Sequence, residues 1–283
     1  MLDPTDFDTI RRLALDEAGI DLGDDKHYLV EARLEPVASH LGYEGLSHLV
    51  STLRRGGRRD LIDTVVDALT TNETSFFRDP TVFDDLADFV LPELVEARRR
   101  ERRLRLWSAA CSTGQEPYSL AMLLLERFPE LVSWEVTILA TDYSRTALQR
   151  AQDGHYSGAE VRRGVPDDLR DRYFRRASGG GWVVSNRVRE RCAFHRLNLL
   201  HPWSEVGACD LVLMRNVLIY VRPSTRDEIL RRVRQVIAPS GVLVLGSTEA
   251  TPEVDRLFHR SRAGRTPVFR HPSFSEKRPE QAA

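Results

Sequence analysis

"LRLWSAACSTGQEPYSLAM", residues 104–122, runs from an apolar stretch through a cluster of small residues into a helical pattern. The first seven residues read as a strand. Residues 116–128, "EPYSLAMLLLERF", read as a helix, with Pro117 suited to its first turn. Between them the small side chains let the backbone approach a ligand. A dinucleotide fingerprint would need three spaced glycines to receive a pyrophosphate. Only Gly114 is present, and Glu116 would repel phosphate. The turn therefore suits a nucleoside ligand that carries positive charge and no phosphates.

Downstream, strands and helices alternate. "EVTILATD" (135–142), "DLVLMRNV" (210–217) and "GVLVLGS" (241–247) read as strands, separated by the helices "SRTALQRAQ" and "STRDEILRRVRQVIAP". That order implies an α/β fold, with a parallel sheet carrying helices on both faces. "DRLFHRSRAGRTPVFRH" looks like an antiparallel hairpin turning near Gly264. Residues 154–195 fit no crossover; their short β-like runs and "SGGG" predict a small antiparallel insert. The polar end, 273–283, reads as a disordered tail.

Upstream the texture differs. Residues 1–72 predict an all-helical domain, and 73–272 the α/β domain with its insert. Phe7, Ile10, Leu13 and Ala14 share one face of the first helix. Tyr28, Leu29, Arg33 and Val37 repeat the pattern in a second, where Pro36 should bend or break it. Two short amphipathic helices follow, in "LSHLVSTLRR" and "RDLIDTVVDALT", and no strand is expected. Residues 81–103 read as one long helix, interrupted near Pro92 and ending in a basic run. The six arginines from Arg98 to Arg105 could suggest RNA contact; a solvated last turn that complements the helix dipole is the simpler reading.

Composition narrows the function. The 42 acids nearly cancel the 41 bases over 283 residues, so no whole-chain field favours nucleic acid or a membrane. Lys26 and Lys277 are the only lysines, a bias taken as compositional drift. Asp3, Asp6, Asp8, Arg11 and Arg12 break any signal-peptide pattern. No apolar run approaches the roughly 20 residues that span a bilayer. Cys111, Cys192 and Cys209 lack metal-ligand spacing and read as reduced thiols in a cytoplasmic protein. The glycosylation pattern Asn72-Glu73-Thr74 is therefore set aside, and no metal site is expected.

Ligands of doubly wound sheets bind outside the carboxyl ends of the strands. Asp142 ends the second strand and could accept hydrogen bonds from both hydroxyls of a ribose, or cap the next helix. Asn198, in "HRLNLLHP", could pair with an adenine edge or serve as a turn residue. Arg215 and Asn216 close an apolar strand, where a charge is costly without a partner. Together these residues describe a pocket for adenosine joined to an amino-acid moiety: S-adenosylmethionine.

"TNETSFFRD", "SAACSTGQEPYSLAM", "ATDYS", "LNLL" and "RNVLIYV" resemble, in order, the motifs of the chemotaxis receptor methyltransferases, the CheR family. The resemblance covers about residues 20–270. It implies a helical N-terminal domain, a Rossmann-like class I methyltransferase domain with an inserted β-subdomain, and S-adenosylmethionine as donor, with S-adenosylhomocysteine as product. The implied acceptor is a glutamate carboxylate on the cytoplasmic helices of a chemoreceptor, and the enzyme is expected to be a monomer. By resemblance, Asn72, Thr74 and Arg78 line the cofactor, Arg78 holding its carboxylate by a charge-assisted bond. Phe76 and Phe77 anchor that segment against the core. Glu116 faces the positive end of the cofactor, Asp142 the ribose, and Asn198 and Leu199 the adenine. Arg215, Asn216 and Tyr220 sit near the transferred methyl and the incoming carboxylate, with Arg215 and Asn216 also binding the cofactor, and Arg78, Arg215 and Tyr220 are the candidate catalytic residues. A glutamate is ionised at neutral pH, its reference pKa being about 4.3. The reaction then needs orientation and neither a general base nor a metal.

Two features depart from the family pattern. The helix over 24–40, strongly basic in many members, here mixes Lys26 and Arg33 with Asp24, Asp25, Glu31 and Glu35. The insert turns through "SGGG" and looks too short to assume a tether for a receptor's C-terminal peptide. A different protein acceptor, or a cofactor-sensing module without turnover, is the competing reading. Intact Arg78, Asp142, Arg215 and Tyr220 argue for activity.

Overall fold

A computed structural model describes residues 2–273, so the expected tail beyond Ser273 lies outside the described residues. Four helices open the chain: α1 (Pro4–Ala18), α2 (His27–His40), α3 (Leu46–Arg54) and α4 (Arg59–Leu69). They close around their own core, which includes Phe7, Ile10, Ala14, Leu49 and Val65. In α2 the buried stripe is Val30, Leu34 and Ala38, one residue on from the stripe expected; Tyr28 is exposed. Spacing alone cannot choose between adjacent stripes, because Arg33 interrupts one and Glu31 flanks the other. The helix also runs on through Pro36. One strand-like contact does exist here, an antiparallel bridge between Ile20 and Val221.

The helix expected over 81–103 is shorter and composite. α5 (Pro80–Asp85) and α6 (Leu91–Ala97) are joined by a π turn over Leu86–Val90. Pro92 has no N–H and its ring crowds the carbonyl four residues back. The wider π turn, closed by Leu91 N–H to Leu86 O, absorbs that conflict without breaking the helix. The basic run leaves the helix at Arg98 and is not merely solvated. Arg98 Nε donates to Asp210 at 2.7 Å, and Arg103 makes a forked pair with Glu135.

The sheet then begins. β1 (Arg103–Ala109), α7 (Gln115–Arg127), β2 (Glu135–Asp142) and α8 (Arg145–Asp153) follow one another. The insert holds β3 (His155–Tyr156), α9 (Gly158–Gly164), α10 (Asp167–Tyr173), β4 (Phe174–Arg176), β5 (Trp182–Val184) and α11 (Asn186–Arg189). Its strands form an antiparallel sheet in the order β3-β5-β4, with helices that the sequence reading did not anticipate. It also ends earlier than 195, because β6 (Cys192–Arg196) pairs parallel with β2 in the main sheet. Then come β7 (Cys209–Met214), α12 (Pro223–Val236), β8 (Ile237–Leu245), α13 (Pro252–Asp255), β9 (His259–Ala263) and β10 (Thr266–Arg270).

The seven-stranded order is β6-β2-β1-β7-β8-β10-β9, parallel except where β10 pairs with its neighbours. This is a Rossmann-like sheet closed by the expected hairpin. Side chains alternate across it, as strand geometry requires. Leu104 and Leu106 enter the core with Tyr118 and Leu120 of α7, whereas Trp107 and Ala109 enter the opposite core. Strand order reverses between β1 and β7, and the crevice at their carboxyl ends is where such sheets bind ligands. Among the described residues, no helix is long and apolar enough to cross a membrane.

Candidate active site at the carboxyl ends of the strands

A cavity with room for water centres of about 130 Å³ opens at that crevice. Asn72, Thr74, Arg78, Glu116, Asp142, Asn198, Leu199, Arg215, Asn216 and Tyr220 all line it. The ten positions singled out in the sequence thus converge on one cleft. The helical domain also contributes, through Ala18, Ile20 and Leu69.

The loop after β1 is tightly wound. Ala110 and Ser112 adopt left-handed backbone, at φ 55° and 51°, which is uncommon for residues with a Cβ. Gly114 is left-handed too, and a Cβ there would meet that of Ala151 at 2.8 Å. This winding points the Ser112 N–H at Asp142 Oδ2 (2.7 Å), while the Ser144 N–H reaches Oδ1 (2.8 Å). Asp142 does not cap α8; Ser144 does, accepting from the Ala147 N–H. The Ser112 and Ser144 amides take one oxygen each, and the remaining lone pairs of the carboxylate leave acceptor capacity for a ligand. Burial pushes its pKa up to about 6, against the lowering pull of the Ser144 and Ser112 amides.

Arg215 behaves differently from expectation. Its side chain is 1% exposed. Nη1 donates to Glu116 Oε2 at 3.0 Å, and Nη2 donates to Asp79 Oδ2 (2.6 Å) and to the Arg78 carbonyl (2.9 Å). Nε is buried and unpartnered among the described residues. The guanidinium is therefore a tie between the sheet and the linker rather than a group free to grip an acceptor. Glu116 is held from both sides, since Oε1 accepts from Ser108 Oγ at 2.8 Å.

The linker is pinned by its aromatics. Phe76 is buried edge-on against Tyr156 and Phe174, and Phe77 lies edge-on to Phe83. Asn72 donates to Thr70 Oγ1, and its carbonyl accepts from Ser112 Oγ. Arg78 is less constrained: Nη1 reaches the Glu73 carbonyl at 3.1 Å, and Nη2 lies 3.5 Å from the Glu73 carboxylate. Of the two cleft arginines, Arg78 is the one placed to exchange partners with a ligand carboxylate.

Asn198 lines the cleft, but its amide is engaged by protein. Nδ2 donates to the Glu17 carbonyl at 2.7 Å, and Oδ1 accepts from the Leu200 N–H at 2.9 Å. The turn reading of this residue is the one its contacts match. Tyr220 stands at the mouth, 38% exposed, and its carbonyl accepts from the Asp21 N–H. Arg33, one of the two bases in the mixed-charge helix over 24–40, donates to the carbonyls of Leu69 and Thr70 and to Thr71 Oγ1.

Sequence reasoning missed two contributors. One is the Leu69–Thr71 segment with its Arg33 clasp, which looks like an ordinary helix end. The other is Glu249, beneath the turn after β7. An acid just past the end of β8 could have been found by the same rule that found Asp142. Two acids, Asp142 and Glu116, and the partly exposed Arg78 line the cleft together, a set of groups suited to a nucleoside that carries both a cation and a carboxylate.

The sequence matches two family profiles. "CheR methyltransferase, all-alpha domain" covers residues 5–70, and "CheR methyltransferase, SAM binding domain" covers residues 72–266. Chemotaxis protein methyltransferase 1 of Pseudomonas aeruginosa is 41% identical over 87% of this chain and 90% of its own length. Chemotaxis protein methyltransferase Cher2 of Pseudomonas putida is 38% identical over 87% and 90%. Chemotaxis protein methyltransferase 1 of Vibrio cholerae is 39% identical over 83% and 85%.

Proposed function

The chain belongs to the CheR methyltransferase family, and from that premise we propose that it methylates glutamate carboxylates on the cytoplasmic helices of chemoreceptors. S-adenosylmethionine is the donor, and when bound it supplies a methyl group made electrophilic by a sulfonium. The observation that carries the reading is the Asp142 carboxylate, buried in the same cleft as Glu116 and Arg78 with acceptor capacity to spare.

In this reading Asp142 takes both ribose hydroxyls and Arg78 leaves Glu73 to hold the donor carboxylate. Leu199 and its apolar neighbours bound the adenine, with Asn198 shaping that wall through its turn. Glu116, fixed by Ser108 and Arg215, sets a negative charge beside the cationic end. Asn72 and Thr74 close the linker side. Asn216 and Tyr220 orient the acceptor carboxylate, which arrives already ionised and gives up no proton. Holding donor and acceptor in line, away from water, lowers the barrier by positioning. The protein acts as a cytoplasmic monomer on this reading.

The test is incubation with methyl-labelled donor and receptor cytoplasmic fragments, scoring base-labile methyl groups. Label that survives mild base, or none on any fragment, would rule out a glutamate ester.

A further inference from the structure

Glu249 is fully buried beneath the turn that follows Arg215. Its Oε2 accepts from the Asn216 N–H at 2.7 Å and the Gly246 N–H at 2.8 Å. Its Oε1 accepts from the N–H groups of Val217, Leu218 and Ile219, at 2.9, 2.6 and 3.3 Å. A buried carboxylate is costly unless it is well paired. Here the four convergent amides of the turn, with that of Gly246, supply the pairing. Space for this is built in: a Cβ on Gly246 would stand 2.5 Å from Glu249 Oε2 and 3.1 Å from the Asn216 nitrogen.

The turn needs holding. Asn216 is left-handed at φ 60°, and the Ile219 and Tyr220 side chains face solvent at 45% and 38% exposure. From the far side the turn is met by the Asp21 N–H on the Tyr220 carbonyl and by the Ile20–Val221 bridge. We propose that Glu249 is a positioning residue for methyl transfer, its carboxylate locking the turn so that Asn216 and Tyr220 keep fixed places in the cleft. This rests on the acceptor-side reading of Tyr220 given above. Both oxygens are required: a glutamine keeps one acceptor and turns an NH₂ towards amides that also donate.

Hydrogen exchange and kinetics on the full chain and on Glu249→Gln test the idea. In the unsubstituted protein, the amides of residues 216–219 should exchange slowly despite their place at the mouth. In Glu249→Gln they should exchange at least about 10-fold faster, as a locally opened turn does. The kcat should fall by about 10- to 100-fold, as a misplacement of about 1 Å brings, with the Kd for S-adenosylhomocysteine unchanged within about 3-fold. Glu249→Asp, which keeps the charge but withdraws it, should fall between. Loop-like exchange in the unsubstituted protein would overturn the proposal even if the variants failed to fold. So would an unchanged kcat in folded Glu249→Gln, or a donor affinity lost in step with kcat. Exchange reads the turn without any acceptor, so failure of the lock and failure of the acceptor reading give separate results.

Discussion

Glu116 and Arg215 stand 99 residues apart in the chain and meet at 3.0 Å beneath the cleft. The pair joins the first turn of α7 to the end of β7, and through Asp79 it joins both to the linker. Removing one partner leaves the other buried and uncompensated, a loss of about 3–5 kcal/mol. Arg215→Ala should therefore lower the urea midpoint markedly as well as activity. Pairing Arg215→Met with Glu116→Gln should recover much of the stability and little of the activity. Full stability in Arg215→Ala would return this residue to a purely catalytic role.

Donor binding is expected to depend on pH through Asp142. In the proposed ribose role its ionised form is the acceptor, and burial pushes its pKa up to about 6. Calorimetry should show the affinity for S-adenosylhomocysteine weakening as pH falls from about 7 to about 5, and Asp142→Asn should flatten that slope. Asp142→Ala should lower affinity by about 1–3 kcal/mol through the lost charged bonds. Stability of the free protein runs the other way. Because the folded value lies above the ordinary 3.8, the contribution of Asp142 is greatest below that value and is lost as pH rises through about 6.

Arg78 is half of a weak surface pair with Glu73, so its removal should leave the fold intact. Arg78→Ala should raise the KM for donor by about 10- to 100-fold, the worth of about 1.5–3 kcal/mol in charge-assisted bonds. Arg78→Lys should rescue it poorly, because a lysine lacks the guanidinium fork. Near-normal donor kinetics in either variant would remove the carboxylate clamp.

Arg33 gives the clearest contrast between a docking charge and a structural clasp. Its three bonds hold the Leu69–Thr71 segment, and that segment lines the cofactor cleft. Arg33→Ala should then weaken donor binding by several-fold, about 1 kcal/mol for neutral acceptors lost at the surface. Unchanged donor affinity with a raised KM for receptor would favour the docking role.

Much of this protein is decided by local pattern. Strands such as Glu135–Asp142, the small-residue turn before Gly114 and the hairpin at Gly264 follow from hydrophobic period and turn chemistry, which act over a few residues. That Asp142, Arg78 and Glu116 line one cleft was legible for the same reason: each sits at a fixed offset from a strand end or within a family motif. What the chain does with those groups was decided only by the tertiary structure. Arg215 and Asn198 are polar residues at the right strand ends, yet Nη2 and Nη1 of Arg215 are engaged by Asp79 and Glu116, and Nδ2 of Asn198 by Glu17. Glu249 and Arg33 look like ordinary polar residues until the fold closes amides and carbonyls around them. A polar side chain leaving water takes whichever partners folding delivers. Those partners come from up to 181 residues away, as Glu17 does to Asn198, a distance over which no local pattern in the sequence speaks.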